Sequence, residues 1–322
     1  MRRKTVLPVL AMAVLVLCLV TLASQGMAAD TPRIYTLRVT YVKLPLNVPL
    51  IIMKQAGLLE ETLASDAGGV EWLEITEGGK QIQALAAGSI DIASVVSSTA
   101  AITARGNGMD VKIVAAFSRS PRAFTIVAMN PAIGSVADLK GRTVAGPKGS
   151  LLNQTLFAAL VKNGLKPSDV GYVHMPVPKA LAALIGGSVD AALVAGPALA
   201  QAEGQGARIL VTGEGLVKGL IVTAVTGSFL EQHGNLVKSY LRALGKALVF
   251  MQDNPDQSVD IVAKATGLGA DEVRRMYPWY DFTPGIEASD KADLESTQQF
   301  LVESGMLSAP TDLSAMVTDM TR

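Results

Sequence analysis

Residues 80–95, KQIQALAAGSIDIASV, recur as residues 179–194, KALAALIGGSVDAALV. At this constant offset eight of sixteen positions are identical, among them Lys80/Lys179, Gly88/Gly187, Ser89/Ser188 and Asp91/Asp190. A repeat constrains architecture more than any single motif does, and one this widely spaced is not a solenoid. Each copy reads as a helix, a Gly-Ser turn and a buried strand that begins with Asp. Each then leaves the strand's carboxyl end through a loop, Ser97-Ser98-Thr99 in the first and Gly196-Pro197 in the second. Two copies in register imply two similar α/β lobes. In open α/β sheets ligands sit outside strand carboxyl ends, where helix N-termini present free N–H groups. Two such lobes facing each other would make a cleft.

The rest of the chain alternates in the same way. Strands are expected at 37–41, 70–75, 111–117, 124–129, 142–145, 170–174, 208–212 and 220–225. Helices are expected at 48–56, 99–105 and 151–161, and the pattern from about 229 onward is helical, with segments at 236–252, 256–265, 270–276 and 291–303. Strands separated by helices point to an α/β chain with mostly parallel sheets.

The N-terminus reads as an export signal. Arg2, Arg3 and Lys4 precede an apolar run over 6–22, broken only by Pro8 and Thr21, and small residues follow to Ala28 and Ala29. That order marks a secretory signal peptide, residues 1–28, and predicts a periplasmic location. Cys18 is the only cysteine and falls inside the apolar run, so the exported chain would carry no disulfide and no thiol chemistry. Basic and acidic residues balance at 28 each, which leaves no basic footprint for nucleic acid.

The sequence holds no catalytic constellation. The two histidines, His174 and His233, have no neighbours at metal-ligand spacing, so no metal is expected. No Gly-x-Ser-x-Gly elbow appears. Gly146-Pro147-Lys148-Gly149-Ser150 has the wrong glycine spacing for a phosphate loop, and its Lys precedes Gly. Asp91 and Asp190 open buried strands, where a carboxylate fixes a turn more readily than it does acid–base work. No cofactor is expected, and the chain is expected not to be an enzyme.

Four stretches together resemble a known family: LRVTYVKLPLNVPLIIMKQAGLLEE, GGKQIQALAAGSIDIAS, SVADLKGRTVAGPKGSLLNQTLFAALVKNGL and ALAALIGGSVDAALVAGPALA. The chain resembles the periplasmic substrate-binding proteins of ABC importers, in the nitrate/sulfonate/taurine and thiamine-precursor (NMT1/THI5-like) group. The resemblance implies a type II periplasmic-binding fold of two α/β lobes around a ligand cleft. Lobe 1 would take 35–120 with 224–320, lobe 2 would take 124–220, and segments near 118–123 and 220–226 would act as hinges. It also implies a small-molecule ligand, a membrane permease as partner, and a monomer; a periplasmic ligand sensor, or an enzyme on the same two-lobed fold, is the alternative that the sequence leaves open. Carried over by position, the cleft would be lined by Leu44 and Asn47 after the first strand and by Gly78, Gly79 and Lys80 at a helix start. Ser97, Ser98 and Thr99 would follow. The second lobe would supply Gly149, Ser150, Leu152 and Asn153, with Pro178, Gly196 and Pro197. Arginine is scarce at these positions, so the residues themselves leave a sulfonate and a less charged organic ligand both open.

Overall fold

The computed structural model describes residues 35–44, 46–64 and 68–321. The expected signal peptide and Pro45 lie outside the described residues. The first half runs β1 (Thr36–Tyr41), α1 (Val48–Gln55), α2 (Leu58–Leu63), β2 (Gly69–Glu74), α3 (Gly78–Ala86), β3 (Ala93–Ser97), α4 (Ser98–Gly106) and β4 (Val111–Arg119). After a short 3-10 turn come β5 (Phe124–Ala128), β6 (Thr143–Gly146), α5 (Leu151–Lys162), β7 (Gly171–His174) and α6 (Val177–Ile185). Then follow β8 (Ala191–Ala195), α7 (Pro197–Gly204), β9 (Arg208–Thr212) and β10 (Leu220–Thr226). The chain ends in α8 (Gly227–Asp253), α9 (Pro255–Thr266), α10 (Ala270–Met276) and α11 (Ala288–Glu303).

The two copies of the repeat make the same turn and the same backbone contacts. Gly88 and Gly187 both turn left-handed, at φ 65° and 70°, which is why glycine ends each helix. The following serine N–H reaches back to Ala84 in one copy and Ala183 in the other. The Asp91 N–H donates to the Arg38 carbonyl, and the Asp91 carboxylate accepts the Arg38 N–H at 2.7 Å. Asp190 does the same with Thr143, accepting its N–H at 2.8 Å. Each Asp therefore pins the strand of its own copy to the strand beside it, β1 in the first copy and β6 in the second. The structure starts β3 and β8 at alanine, just after these aspartates.

The sheets are mixed, which corrects the expectation of mostly parallel pairing. β1 and β2 pair parallel, as do β6 with β7 and with β8. β10 runs antiparallel between β3 and β4, and β5 runs antiparallel between β8 and β9. A parallel neighbour needs a long return connection, usually a helix. β5 and β10 each enter straight from a strand of the other sheet, β4 and β9, with no α-helix between. Their direction therefore opposes their neighbours. A parallel bridge between Val39 and Ile92 joins β1 to the approach of β3. The second passage between the sheets lies at 213–219 and leads into the central strand β10 at 220–226.

Apolar clusters among the described residues back the sheets. One sits between the β3-β10-β4 sheet, α4 and α11, with Ile102, Ile113, Leu294 and Phe300. The five-stranded sheet β7-β6-β8-β5-β9 has a cluster on each face, with α5 on one side and α6 and α7 on the other.

The two passages are tied together. Arg119 ends β4 with only 6% of its surface exposed, and its guanidinium binds Asp290, Asp281 and the carbonyls of Thr283 and Gly285. Lys218, just before β10, reaches Asp290 at 2.7 Å and Ser289 at 2.6 Å. Asp290 is fully buried in the first turn of α11, so both passages are anchored to one carboxylate. Gly219 completes the joint with φ 64°, and a Cβ there would lie 2.9 Å from the Ser120 carbonyl carbon and from the Phe124 ring. Gly219→Ala should therefore destabilise the fold by about 2 kcal/mol, from left-handed strain plus overpacking. Urea unfolding measures this, and a loss under about 0.5 kcal/mol would mean the joint relaxes freely.

Candidate functional site

The turn from β3 into α4 carries Ser97, Ser98 and Thr99 at the start of the helix. Ser97 holds an extended backbone as N-cap, and its Oγ accepts the Ala100 N–H at 3.2 Å. Its hydroxyl also shares a hydrogen bond with Thr99 at 2.8 Å. Ser98 is fully buried, yet its Oγ has no hydrogen-bond partner among the described residues. A hydroxyl buried without a partner costs about 1–3 kcal/mol, so such a group calls for an explanation. It stands in the first turn of α4, where backbone N–H groups also lack partners within the helix. Gly78 packs on the same turn: a Cβ there would sit 3.6 Å from Ala100 Cβ and 3.7 Å from the Ser97 nitrogen. The structure thus brings the second and third expected loops together.

The turn from β6 into α5 is its counterpart. Gly149 is left-handed at φ 74°, and its N–H donates to Asn153 Oδ1 at 3.2 Å. Ser150 caps α5, accepting the Asn153 N–H at 3.3 Å and donating to the Pro147 carbonyl at 2.7 Å. His174 Nδ1, at the end of β7, accepts the Lys148 N–H at 2.9 Å. That bond steadies the loop and was not foreseen, because His174 and Lys148 are adjacent only once β6 and β7 pair. A third turn, from β8 into α7, has Gly196 at φ 55° and ψ −128° with Pro197 opening the helix. That backbone excludes a side chain, which accounts for the glycine.

The other expected positions divide. Lys80 is exposed and pairs with Glu77 at 2.8 Å, a solvated surface pair that leaves its ammonium engaged. Leu152 is buried in the apolar cluster under α5, so its side chain serves the core. Asn47 is buried and its amide turns back to the Leu44 carbonyl at 3.4 Å, while Leu44 is 40% exposed. Gly79 is open on its surface, and Pro178 is exposed at the start of α6. Arg119 is not available to a ligand, since its guanidinium is spent on Asp290 and the neighbouring carbonyls. Among the described residues no three His, Cys, Asp or Glu side chains group as a metal site. No helix among them is long and apolar enough to cross a membrane.

Chemically, the turns offer hydroxyls and free N–H groups near neutral glycine backbone. Such a set suits an anionic or strongly accepting group without requiring a formal cation.

Comparison with known proteins places the chain. It is 30% identical over 254 residues to an Escherichia coli K12 protein named for binding aliphatic sulfonates, a match covering 78% of both chains. It is 27% identical over 278 residues to the taurine-binding periplasmic protein of the same organism, covering 80% of this chain and 86% of the other. The crystal structure of the Escherichia coli periplasmic aliphatic sulphonate binding protein SsuA superposes with a TM-score of 0.79 at 27% identity, over 88% of this chain and 97% of that one. The model of the family described as NMT1/THI5 like matches residues 69–258, more than half of the sequence. The chain belongs to the NMT1/THI5-like family.

Proposed function

We propose that this protein is the exported solute-binding component of an ABC importer, that it captures a small organic anion of the sulfonate class, and that it hands the anion to a membrane permease. In this reading it works as a periplasmic monomer and does no chemistry on its ligand. Lobe 1 comprises 36–119 with the chain from 220 onward, lobe 2 comprises 124–212, and the passages at 120–123 and 213–219 are the hinge. The ligand lies between the β3–α4 turn of one lobe and the β6–α5 and β8–α7 turns of the other. Relatives named for sulfonates and taurine support the ligand class.

The single observation that carries the site is Ser98. Its buried hydroxyl at a helix start, without a partner among the described residues, is the kind of donor that an incoming oxyanion satisfies. A sulfonate has three acceptor oxygens, enough to meet Ser98 and free N–H groups of both lobes at once. Closure then follows from contacts made with both sides together.

A thermal-shift screen tests this. Ligand at about a hundred times its Kd adds about 2.7 kcal/mol to the folded state. For a chain of this size, ethanesulfonate or taurine should raise the melting temperature by about 5 °C or more. No shift with any sulfonate, and an equal shift with inorganic sulfate alone, are the two results that remove an organic sulfonate as the ligand.

A further inference from the structure

A cavity of about 470 Å³ lies on the flank of α5, between the edge strand β7 and the end of α11. It starts at the proposed site: Asn153 and Lys148 line it, and Met306 on its wall sits 3.1 Å from where a Cβ of Gly149 would stand. Cavities of about 300–1,000 Å³ hold drug-sized ligands, so a two-carbon sulfonate would leave most of this space empty.

Its chemistry is divided. Leu156, Phe157 and Phe300 give an apolar floor, and the two rings meet edge to face at 5.4 Å. The polar side is rich in donors. His174 uses Nδ1 to accept the Lys148 N–H, which places the proton of the neutral ring on Nε2. Asn153 uses Oδ1 on the Gly149 N–H, which leaves its NH2 as the free end. The Tyr172 ring stands on the same side; its hydroxyl is buried with no partner among the described residues, and burial pushes its pKa up, so it stays protonated. Among the described residues no carboxylate lies within 4.0 Å of the Lys148 ammonium. Glu303 stands on the same wall, its carboxylate held by Gln299 at 2.7 Å.

We infer that this cavity receives the body of the ligand: the substrate is a ring-bearing organic sulfonate, its charged head at the Gly149–Asn153 turn and its apolar ring against Phe157 and Phe300. The inference rests on the binding-protein reading and narrows its ligand class.

Calorimetric titration of ethanesulfonate and of naphthalene-2-sulfonate into the whole exported chain tests it. Naphthalene-2-sulfonate should bind at least tenfold more tightly. Ser304→Trp, which fills the cavity from the end of α11, should cut that advantage to threefold or less. If that variant does not fold, Phe157→Ala, which removes the ring's contact surface, should lower the same ratio. If ethanesulfonate binds but naphthalene-2-sulfonate binds no better, or if its advantage survives in the variants, the inference is overturned and the binding-protein reading stands. If neither sulfonate binds the folded protein, both fall.

Discussion

Replacing Asp290 with alanine is expected to cost about 3–5 kcal/mol, the range for breaking a buried ion pair from one side. The variant leaves the Arg119 guanidinium buried without its main partner and frees Lys218 from α11. Domains of this kind have about 5–15 kcal/mol in total, so the melting temperature should fall steeply. The loss should exceed that of any exposed pair, such as Lys80–Glu77, which is worth about 0–1 kcal/mol. Urea unfolding of Asp290→Ala, with Lys80→Ala as control, measures the difference. Equal losses would show that the carboxylate does not hold the passages together.

The same carboxylate sets a pH dependence. Burial works to raise its pKa, but hydrogen bonds from Arg119, Lys218 and the Glu287 N–H outweigh burial and hold it at about 2, below the ordinary 3.8. A depressed folded-state pKa adds stability above the unfolded value, and that stability is lost as pH falls through the folded one. Unfolding midpoints should therefore drop between about pH 4 and pH 2. Asp290→Asn should lack that part of the slope.

Ser98→Ala should raise stability and weaken binding, two effects of opposite sign from one atom. Removing a buried hydroxyl with no partner relieves a cost of about 1 kcal/mol or more in the free protein. Removing a donor to an oxyanion loses about 1.5–3 kcal/mol of affinity, roughly ten- to a hundredfold. A larger side chain is the poorer probe, because Ser98 is fully enclosed and overpacking would disturb α4 by itself. Melting temperature and sulfonate affinity, measured on the same sample, check both signs. If affinity is unchanged, Ser98 is outside the site.

Much of the fold was readable because it depends on local rules. Gly88, Gly187, Asp91 and Asp190 do the same backbone work in two places, and their spacing exposed the repeat. Strand direction was less readable. It depends on whether a helix separates two strands of one sheet, and β5 and β10 arrive directly from the other sheet instead. The role of Arg119 was not legible, because nothing in sequence links it to Asp290, 171 positions away. The turns of the candidate site were legible as serines and glycines after strands. What lies beside them was not: Phe157, Tyr172, Phe300 and Met306 meet only after α11 packs across α5. Leu152 shows the limit from the other direction, since a residue inside a family motif faces the core.

The most direct measurement is a calorimetric titration of residues 29–322 with ethanesulfonate. One saturable site per chain, with a Kd well below about 1 mM, is the expected result. A folded protein that gives no saturable heat with ethanesulfonate or taurine would contradict the assignment of a sulfonate-class ligand to these turns.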